Sequence, residues 1–206
     1  MAKILVVTKD LAEFLMYRPV VELLQKANHR VTVVAEGLSF QKWSDVEVPY
    51  LVGVGAGDIS PEVFQPDLVL TGLGAPINLG EKFGLDANKL GVKLGFVEDI
   101  WGVHRCSKAV PDFVCTLDPF GKALIASHKP YNGRTIHVYV TGSPALDRLS
   151  KVKPPNPSDL PMMQVLEKHE KVVLLAGQDE STTPMVEGLV AALDQAWENY
   201  ILIPRL

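Results

Sequence analysis

The sequence predicts an α/β fold, with a Rossmann-like parallel-sheet domain followed by a partial second Rossmann-like βαβ unit. Three observations indicate this fold. Short runs rich in valine, isoleucine and leucine recur along the chain, each run is followed by a polar or glycine-bearing loop, and a stretch of helical periodicity comes next. Strands that alternate with helical segments are typical of parallel sheets with crossover helices.

The predicted elements follow in order along the chain. Strands are predicted at 3–7, 30–35, 48–54, 66–71, 92–97, 112–116 and 136–140, and helices at 19–27, 78–90 and 119–127. Pro19 is placed in the first turn of its helix, because proline has no N–H to leave unpaired there. Further on, a helix at 162–169, a strand at 171–176, a helix at 184–198 and a strand at 200–204 are predicted.

A proline-rich segment divides these two groups of elements. Residues 151–161 contain four prolines, which disfavour a continuous helix or a central strand and predict a stiff connector. We therefore predict a Rossmann-like domain over 1–150, a linker over 151–161 and a partial βαβ unit over 162–206. A single βαβ unit buries little apolar surface, so it must pack on the first domain, on another copy or on further sequence.

Composition and charge narrow the class of protein. The 206 residues are 47% hydrophobic and 21% charged with a net charge of −4, which favours a folded protein without a basic surface for nucleic acid. Cys106 and Cys115 have no spacing suited to zinc or to a disulfide framework. No apolar run reaches the roughly 20 residues that span a bilayer. We expect a cytoplasmic protein without a metal site, a transmembrane segment or a nucleic-acid partner.

The loop after the strand at 92–97 is the richest in candidate functional residues. Ligands of open parallel sheets bind outside the carboxyl ends of the strands. Glu98, Asp99 and His104 are candidate catalytic residues, because carboxylates and imidazoles transfer protons. Trp101 is a candidate for stacking on a sugar or base, and Arg105 for offsetting phosphate charge. The alternative is a loop of solvated charges whose tryptophan fills the core.

Other strand ends contribute further candidates. The predicted substrate-binding residues there are Thr8, Lys9, Asp10, Gly72, Gly74, Gly142 and Ser143. Residues 177–183 open a predicted helix, whose free N–H groups favour a phosphate. The predicted phosphate-binding residues are Gly177, Gln178, Ser181 and Thr182. An ordinary capping turn is the alternative there, since Asp179 and Glu180 would repel a phosphate.

Residues 138–147, VYVTGSPALD, resemble a segment of a known family. The segment, V-x-V-T-G-[NS]-P-x-x-D, closes the N-terminal domain of B-type glycosyltransferase-fold proteins, among which UDP-N-acetylglucosamine 2-epimerases and related nucleotide-sugar transferases are the most similar. Pro19 with the following VVELLQK resembles their first helix, and residues 111–114, PDFV, resemble their entry to a late strand. Where the epimerases carry a His-x-Glu-Ala-Gly-type sequence, residues 96–100 are FVEDI.

The resemblance implies part of a nucleotide-sugar-dependent glycosyltransferase or epimerase-like enzyme that acts in an interdomain cleft. It implies no cofactor: the nucleotide-sugar donor, UDP-linked, is a substrate, and the acceptor is unknown. Glu98 and Asp99 correspond to the family's acidic loop residues, Gly142 and Ser143 to its interdomain loop, and residues 178–182 to its pyrophosphate site. Since most of the family's second domain has no counterpart in residues 162–206, we expect the chain alone not to be a competent catalyst.

Two other classes of function stay open from the sequence. One is a non-catalytic α/β binding or assembly module that forms a homo-oligomer through its incomplete second domain. The other is a nicotinamide-dependent oxidoreductase, although the glycine fingerprint that would bind a dinucleotide is missing after the first strand.

Overall fold

The computed structural model describes residues 1–46, 48, 50–53, 60–72, 79–127, 135–149, 151–153, 171–176, 187–193 and 200–205. The chain forms two compact units, Met1–Lys151 and Val152–Leu206. None of the helices described in these ranges is long and apolar enough to cross a membrane.

The first unit is built on a seven-stranded sheet in the order β3-β2-β1-β4-β5-β6-β7, with every pair parallel. The strands are β1 (Lys3–Thr8), β2 (Arg30–Ala35), β3 (Leu51–Gly53), β4 (Leu68–Thr71), β5 (Lys93–Val97), β6 (Phe113–Thr116) and β7 (His137–Val140). The strand order reverses direction between β1 and β4, and such a switch point is where open α/β sheets bind ligands. The predicted parallel Rossmann-like sheet is confirmed.

The helices connect these strands. They are α1 (Leu11–Lys26), α2 (Gly37–Ser44), α3 (Pro61–Phe64), α4 (Leu79–Leu90), α5 (Pro119–Ser127) and α6 (Pro144–Leu149), and a 3₁₀ helix spans Val103–Cys106. Helices α4 and α5 were predicted from the sequence, but α2, α3, α6 and the 3₁₀ helix were not. The third strand was predicted to begin at residue 48, whereas β3 begins at Leu51.

Helix α1 begins at Leu11, so the prediction that this helix starts at Pro19 was wrong. The carboxylate of Asp10 accepts a hydrogen bond from the Glu13 N–H at 2.8 Å and caps the helix before its first turn. Pro19 therefore lies inside the helix, where its missing N–H removes one backbone hydrogen bond.

The core lies on both faces of the sheet. Successive side chains of β1 point to opposite faces, so Ile4 and Val6 belong to one buried cluster and Leu5 and Val7 to the other. The first cluster includes Tyr17 of α1, and the second includes residues of α4. A strand covered on both faces needs a continuous apolar run, which is what the β1 sequence KILVVT supplies.

The second unit contains a parallel strand pair. Strand β8 (Lys171–Ala176) pairs with β9 (Tyr200–Arg205), with Lys171 opposite Tyr200 and Ala176 opposite Arg205. Parallel strands need a crossover connection, and residues 187–193 between them are helical. This confirms the predicted βαβ unit. Of the predicted linker at 151–161, residues 154–161 lie outside the described residues, as does the predicted helix at 162–169.

Candidate functional site

A buried hydrogen-bond network involves Glu98, the residue that follows the last residue of β5 in the sequence. The side chains of Glu98 and His104 are fully buried, and His104 Nδ1 lies 2.5 Å from Glu98 Oε1. Because a carboxylate only accepts hydrogen bonds, Nδ1 donates this one. The backbone N–H of His104 donates to the same oxygen at 3.3 Å, and the Thr116 hydroxyl donates to Oε2 at 2.9 Å. Both carboxylate oxygens are thus engaged within the protein.

This network fixes the shape of the loop between β5 and the 3₁₀ helix. Glu98 also donates its backbone N–H to the carbonyl of Cys115 at 3.0 Å, which extends the pairing with β6 by one residue. Gly102, with φ of +83°, makes the turn into the 3₁₀ helix in a conformation that favours glycine. Residues 99–101 are therefore held between two anchored points.

Trp101 is exposed at this loop and is held by polar and aromatic contacts. Its side chain is 52% exposed, so it does not fill the core. Its indole Nε1 donates to Asp118 Oδ1 at 3.1 Å, and its ring lies edge-on to Phe120 at 5.7 Å. The same Asp118 oxygen accepts the Gly121 N–H at 2.8 Å and so caps α5. One carboxylate thus fixes both the helix and the indole.

A groove of about 560 Å³ opens at the carboxyl ends of β5, β6 and β7. This volume is within the range of about 300–1,000 Å³ that is usual for small-molecule sites. The described residues that line it are Asp99, Ile100, Trp101, Leu117, Asp118, Gly142, Ser143 and Leu146. Four of the residues predicted to bind substrate or catalyse are therefore brought together in one groove.

Asp99 is the half-buried carboxylate of this groove. Burial raises the pKa of Asp99 above its ordinary value of 3.8, and the negative charges of Asp10 and Glu98 add to the increase. Backbone N–H groups of Asp99 and Ile100 oppose the shift without cancelling it. A carboxylate with a raised pKa in a groove is a stronger base than an exposed one.

The TGSPALD segment forms one side of the groove as a strand–turn–helix. Gly142, with φ of +75°, turns the chain at the end of β7, and the Ser143 hydroxyl accepts the Leu146 N–H at 3.4 Å at the start of α6. The Ser143 hydroxyl also contacts Met16 Sδ of α1 at 3.2 Å. Pro144 suits the first helical position, where no N–H is needed.

The end of β1 is arranged differently from the groove. Thr8 is 1% exposed, and its hydroxyl oxygen accepts hydrogen bonds from Ser39 Oγ at 2.7 Å and Trp43 Nε1 at 2.9 Å. Lys9 pairs with Glu36 at 3.4 Å. The structure therefore places Thr8 in an internal network and Lys9 in an ion pair, while Asp10 caps α1.

Glu13 is a buried carboxylate that the sequence analysis did not select. It is 4% exposed in the first turn of α1, and one of its oxygens accepts the Lys9 N–H at 2.5 Å. Its carboxylate lies so close to Gly72, at the end of β4, that a Cβ at Gly72 would clash with it. Gly72 thus permits the close approach of α1 to β4.

The remaining predicted residues fall into two groups. Arg105 is exposed beside the buried His104. Gly74 lies outside the described residues, as do the predicted phosphate-binding residues Gly177, Gln178, Ser181 and Thr182.

Among the residues that the structure describes, no group of three or more histidine, cysteine or acidic side chains is arranged to hold a metal ion.

Half of the described residues that line the groove were not predicted from the sequence. Ile100, Leu117, Asp118 and Leu146 line it but were not candidates. The sequence signal for Asp118 was present, since an aspartate directly before a proline and an apolar helical segment is typical of a helix N-cap. The three apolar residues had no such signal, because an exposed and a buried leucine look alike in a sequence.

Comparison with known structures identifies the fold. No protein-family model matches the sequence, and no curated protein matches it. The structure aligns with that of the UDP-N-acetylglucosamine 2-epimerase from Rickettsia bellii, at a TM-score of 0.61 and 15% identity, over all of this chain and 62% of the other. The chain shares the fold of the part of this epimerase with which it aligns.

Two further structures support the same assignment of the fold. The S. aureus MnaA–UDP structure aligns with a TM-score of 0.67 and 16% identity over 99% of this chain and 61% of MnaA. Another UDP-N-acetylglucosamine 2-epimerase aligns with a TM-score of 0.60 and 14% identity. The chain thus spans less than two thirds of the length of these proteins. The resemblance predicted from residues 138–147 is confirmed at the level of the fold.

Proposed function

We propose that this chain is part of a nucleotide-sugar-dependent enzyme, a glycosyltransferase or an epimerase, in which Asp99 is the catalytic base. The observation that carries the proposal is the position of Asp99: a half-buried carboxylate with a raised pKa, in a groove at the carboxyl edge of a Rossmann-like sheet. Ligands of such sheets bind at that edge.

Both reactions require a group that accepts a proton. In glycosyl transfer the base takes the proton of the acceptor hydroxyl, and in epimerisation it takes a proton bound to carbon. A positioned base typically accelerates such a step about 10²–10⁴-fold. Asp99 fits this role because its carboxylate borders the groove, whereas the oxygens of Glu98 are engaged by His104 and Thr116.

Glu98 and His104 have a different role in this proposal. They are buried and bonded to each other, so they position the loop that carries Asp99 and do not touch the substrate. Arg105, exposed on the same loop, is proposed to offset the charge of a phosphate.

The proposed donor is a UDP-linked sugar, with no cofactor. The similarity of fold to S. aureus MnaA, whose structure was solved together with UDP, supports this choice. The predicted contacts of the pyrophosphate with Gly177, Gln178, Ser181 and Thr182 belong to the proposal as well.

Two measurements on the full-length gene product test the class of function. Calorimetric titration with UDP measures nucleotide binding, and ¹H NMR of UDP-N-acetylglucosamine in D₂O follows its consumption. The proposal expects saturable binding of UDP and turnover of the donor. Deuterium incorporated at a sugar carbon identifies epimerisation, and free UDP without deuterium incorporation identifies transfer or hydrolysis. An oligomer, seen by light scattering, that neither binds UDP nor consumes the donor would support the assembly module instead.

A further inference from the structure

The groove beside Asp99 is mainly apolar. Ile100, Trp101, Leu117 and Leu146 line it, and the side chains of Ile100 and Leu146 are 63% and 60% exposed. Large exposed apolar side chains that adjoin one another are uncommon on a soluble protein and mark sites of interaction. A sugar ring, with a hydroxyl on most of its carbons, would leave many of its polar groups without partners on this lining.

The charges at the groove disfavour an anionic ligand. Its ionisable side chains are the carboxylates of Asp99 and Asp118, and no lysine, arginine or histidine is among the described residues that line it. A phosphate or carboxylate bound there would be repelled and would leave water without a compensating cation. The charge pattern therefore fits a neutral molecule.

The indole of Trp101 is fixed in position by two contacts and can stack on a flat ligand. Asp118 fixes its Nε1, and Phe120 packs against it edge-on at 90°. An aromatic surface that is already ordered loses little conformational freedom when a ligand stacks on it. The groove is thus preorganised as well as apolar.

We propose that this groove binds the acceptor of the reaction, and that the acceptor is a neutral, apolar molecule, with a flat ring, that carries a hydroxyl group. This inference rests on the proposed function and makes it more specific, because it assigns transfer and not epimerisation. Ile100, Trp101 and Leu146 hold the apolar part of the acceptor, and the hydroxyl faces Asp99.

In the proposed transfer of the sugar to the acceptor, one bond forms for each bond that breaks. The acceptor oxygen forms a bond to the anomeric carbon of the sugar, while the bond from that carbon to the phosphate oxygen breaks. The electron pair of the broken bond leaves with the nucleoside diphosphate. The hydroxyl proton passes to the carboxylate of Asp99, which releases it to solvent after the product leaves.

The test uses 2-naphthol, a flat apolar alcohol that is neutral at pH 7, as the probe in a ligand-observed NMR titration of the full-length gene product. We expect saturable binding, and at least tenfold weaker binding of 2-naphthyl phosphate and of N-acetylglucosamine. Trp101→Ala and Leu146→Ala should each weaken the binding of 2-naphthol about tenfold, since each removes roughly 1.4 kcal/mol of apolar contact. Leu23→Ala is the matched control, because Leu23 on α1 is 65% exposed, close to the 60% of Leu146, and does not line the groove.

The outcomes separate this inference from the proposed function. If 2-naphthol does not bind, or binds equally well to the Trp101 and Leu146 variants, the apolar acceptor site is wrong, even where UDP binds and the donor is consumed. If 2-naphthol binds as expected but UDP does not, the groove takes an apolar alcohol and the nucleotide-sugar function is wrong. Preferred binding of N-acetylglucosamine would overturn the apolar site in favour of a sugar acceptor.

Discussion

Replacing His104 with phenylalanine should destabilise the protein strongly. The substitution keeps a flat ring of similar shape but removes the Nδ1–H that lies 2.5 Å from the Glu98 carboxylate. Both side chains are fully buried, so the carboxylate would remain in the interior with fewer donors. Breaking a buried pair in this way typically costs about 3–5 kcal/mol. We expect His104→Phe to lower the free energy of unfolding by an amount in that range.

A double-mutant cycle in urea, followed by far-ultraviolet circular dichroism, checks this expectation. Glu98→Gln removes the charge that His104 stabilises. The double variant should therefore lose about 1–3 kcal/mol less unfolding free energy than the sum of the losses in the two single variants. Asp86→Asn is the control, because its ion pair with Lys89 is at the surface and is worth about 0–1 kcal/mol. Losses that add to within about 0.5 kcal/mol would refute the coupling of Glu98 with His104.

Three further predictions concern stability. Thr8→Val should cost about 2–5 kcal/mol in urea unfolding, because Ser39 Oγ and Trp43 Nε1 would each lose their acceptor in the interior; a loss below about 1 kcal/mol would contradict the network. Gly142→Ala should lower the free energy of unfolding by about 1–2 kcal/mol, because φ of +75° strains an L-residue; an unchanged melt would contradict that conformation. The raised pKa of Asp99 means that its ionised form is disfavoured in the fold, so its contribution to stability is present below pH 3.8 and is lost as pH rises through the folded-state pKa. Asp99→Asn should therefore be at least as stable as the native protein at neutral pH, and this difference should disappear in acid; a variant that is less stable only at neutral pH would contradict the assigned shift.

The strands could be predicted from the sequence because each is a short apolar run bounded by polar or glycine residues. The run KILVVT became β1 and RVTVVA became β2, since central parallel strands bury both faces. Helices were harder to place. Pro19 was predicted to begin a helix, but α1 begins earlier, because the side chain of Asp10 caps it. Proline is also tolerated inside a helix when packing holds it, and sequence alone does not show that packing.

The site could be predicted only in part, for a similar reason. Its position after β5 followed from the rule that ligands bind at the carboxyl ends of parallel strands. Which of the two adjacent carboxylates faces the groove did not follow, because that depends on His104 and Thr116, which come from the 3₁₀ helix and β6. Long-range partners of this kind become visible only in the folded chain.

The most direct test of the central claim is the rate at which Asp99→Asn consumes UDP-N-acetylglucosamine. The initial rate is measured by ¹H NMR at neutral pH in the full-length gene product with 2-naphthol present as the acceptor, together with the binding of UDP. Asp45→Asn is the control, because Asp45 is an exposed aspartate at the end of α2. We predict that Asp99→Asn binds UDP as the native protein does and is slower by about 10²–10⁴-fold, while Asp45→Asn is unchanged. An Asp99→Asn variant that consumes the donor at the native rate would contradict the assignment of Asp99 as the base.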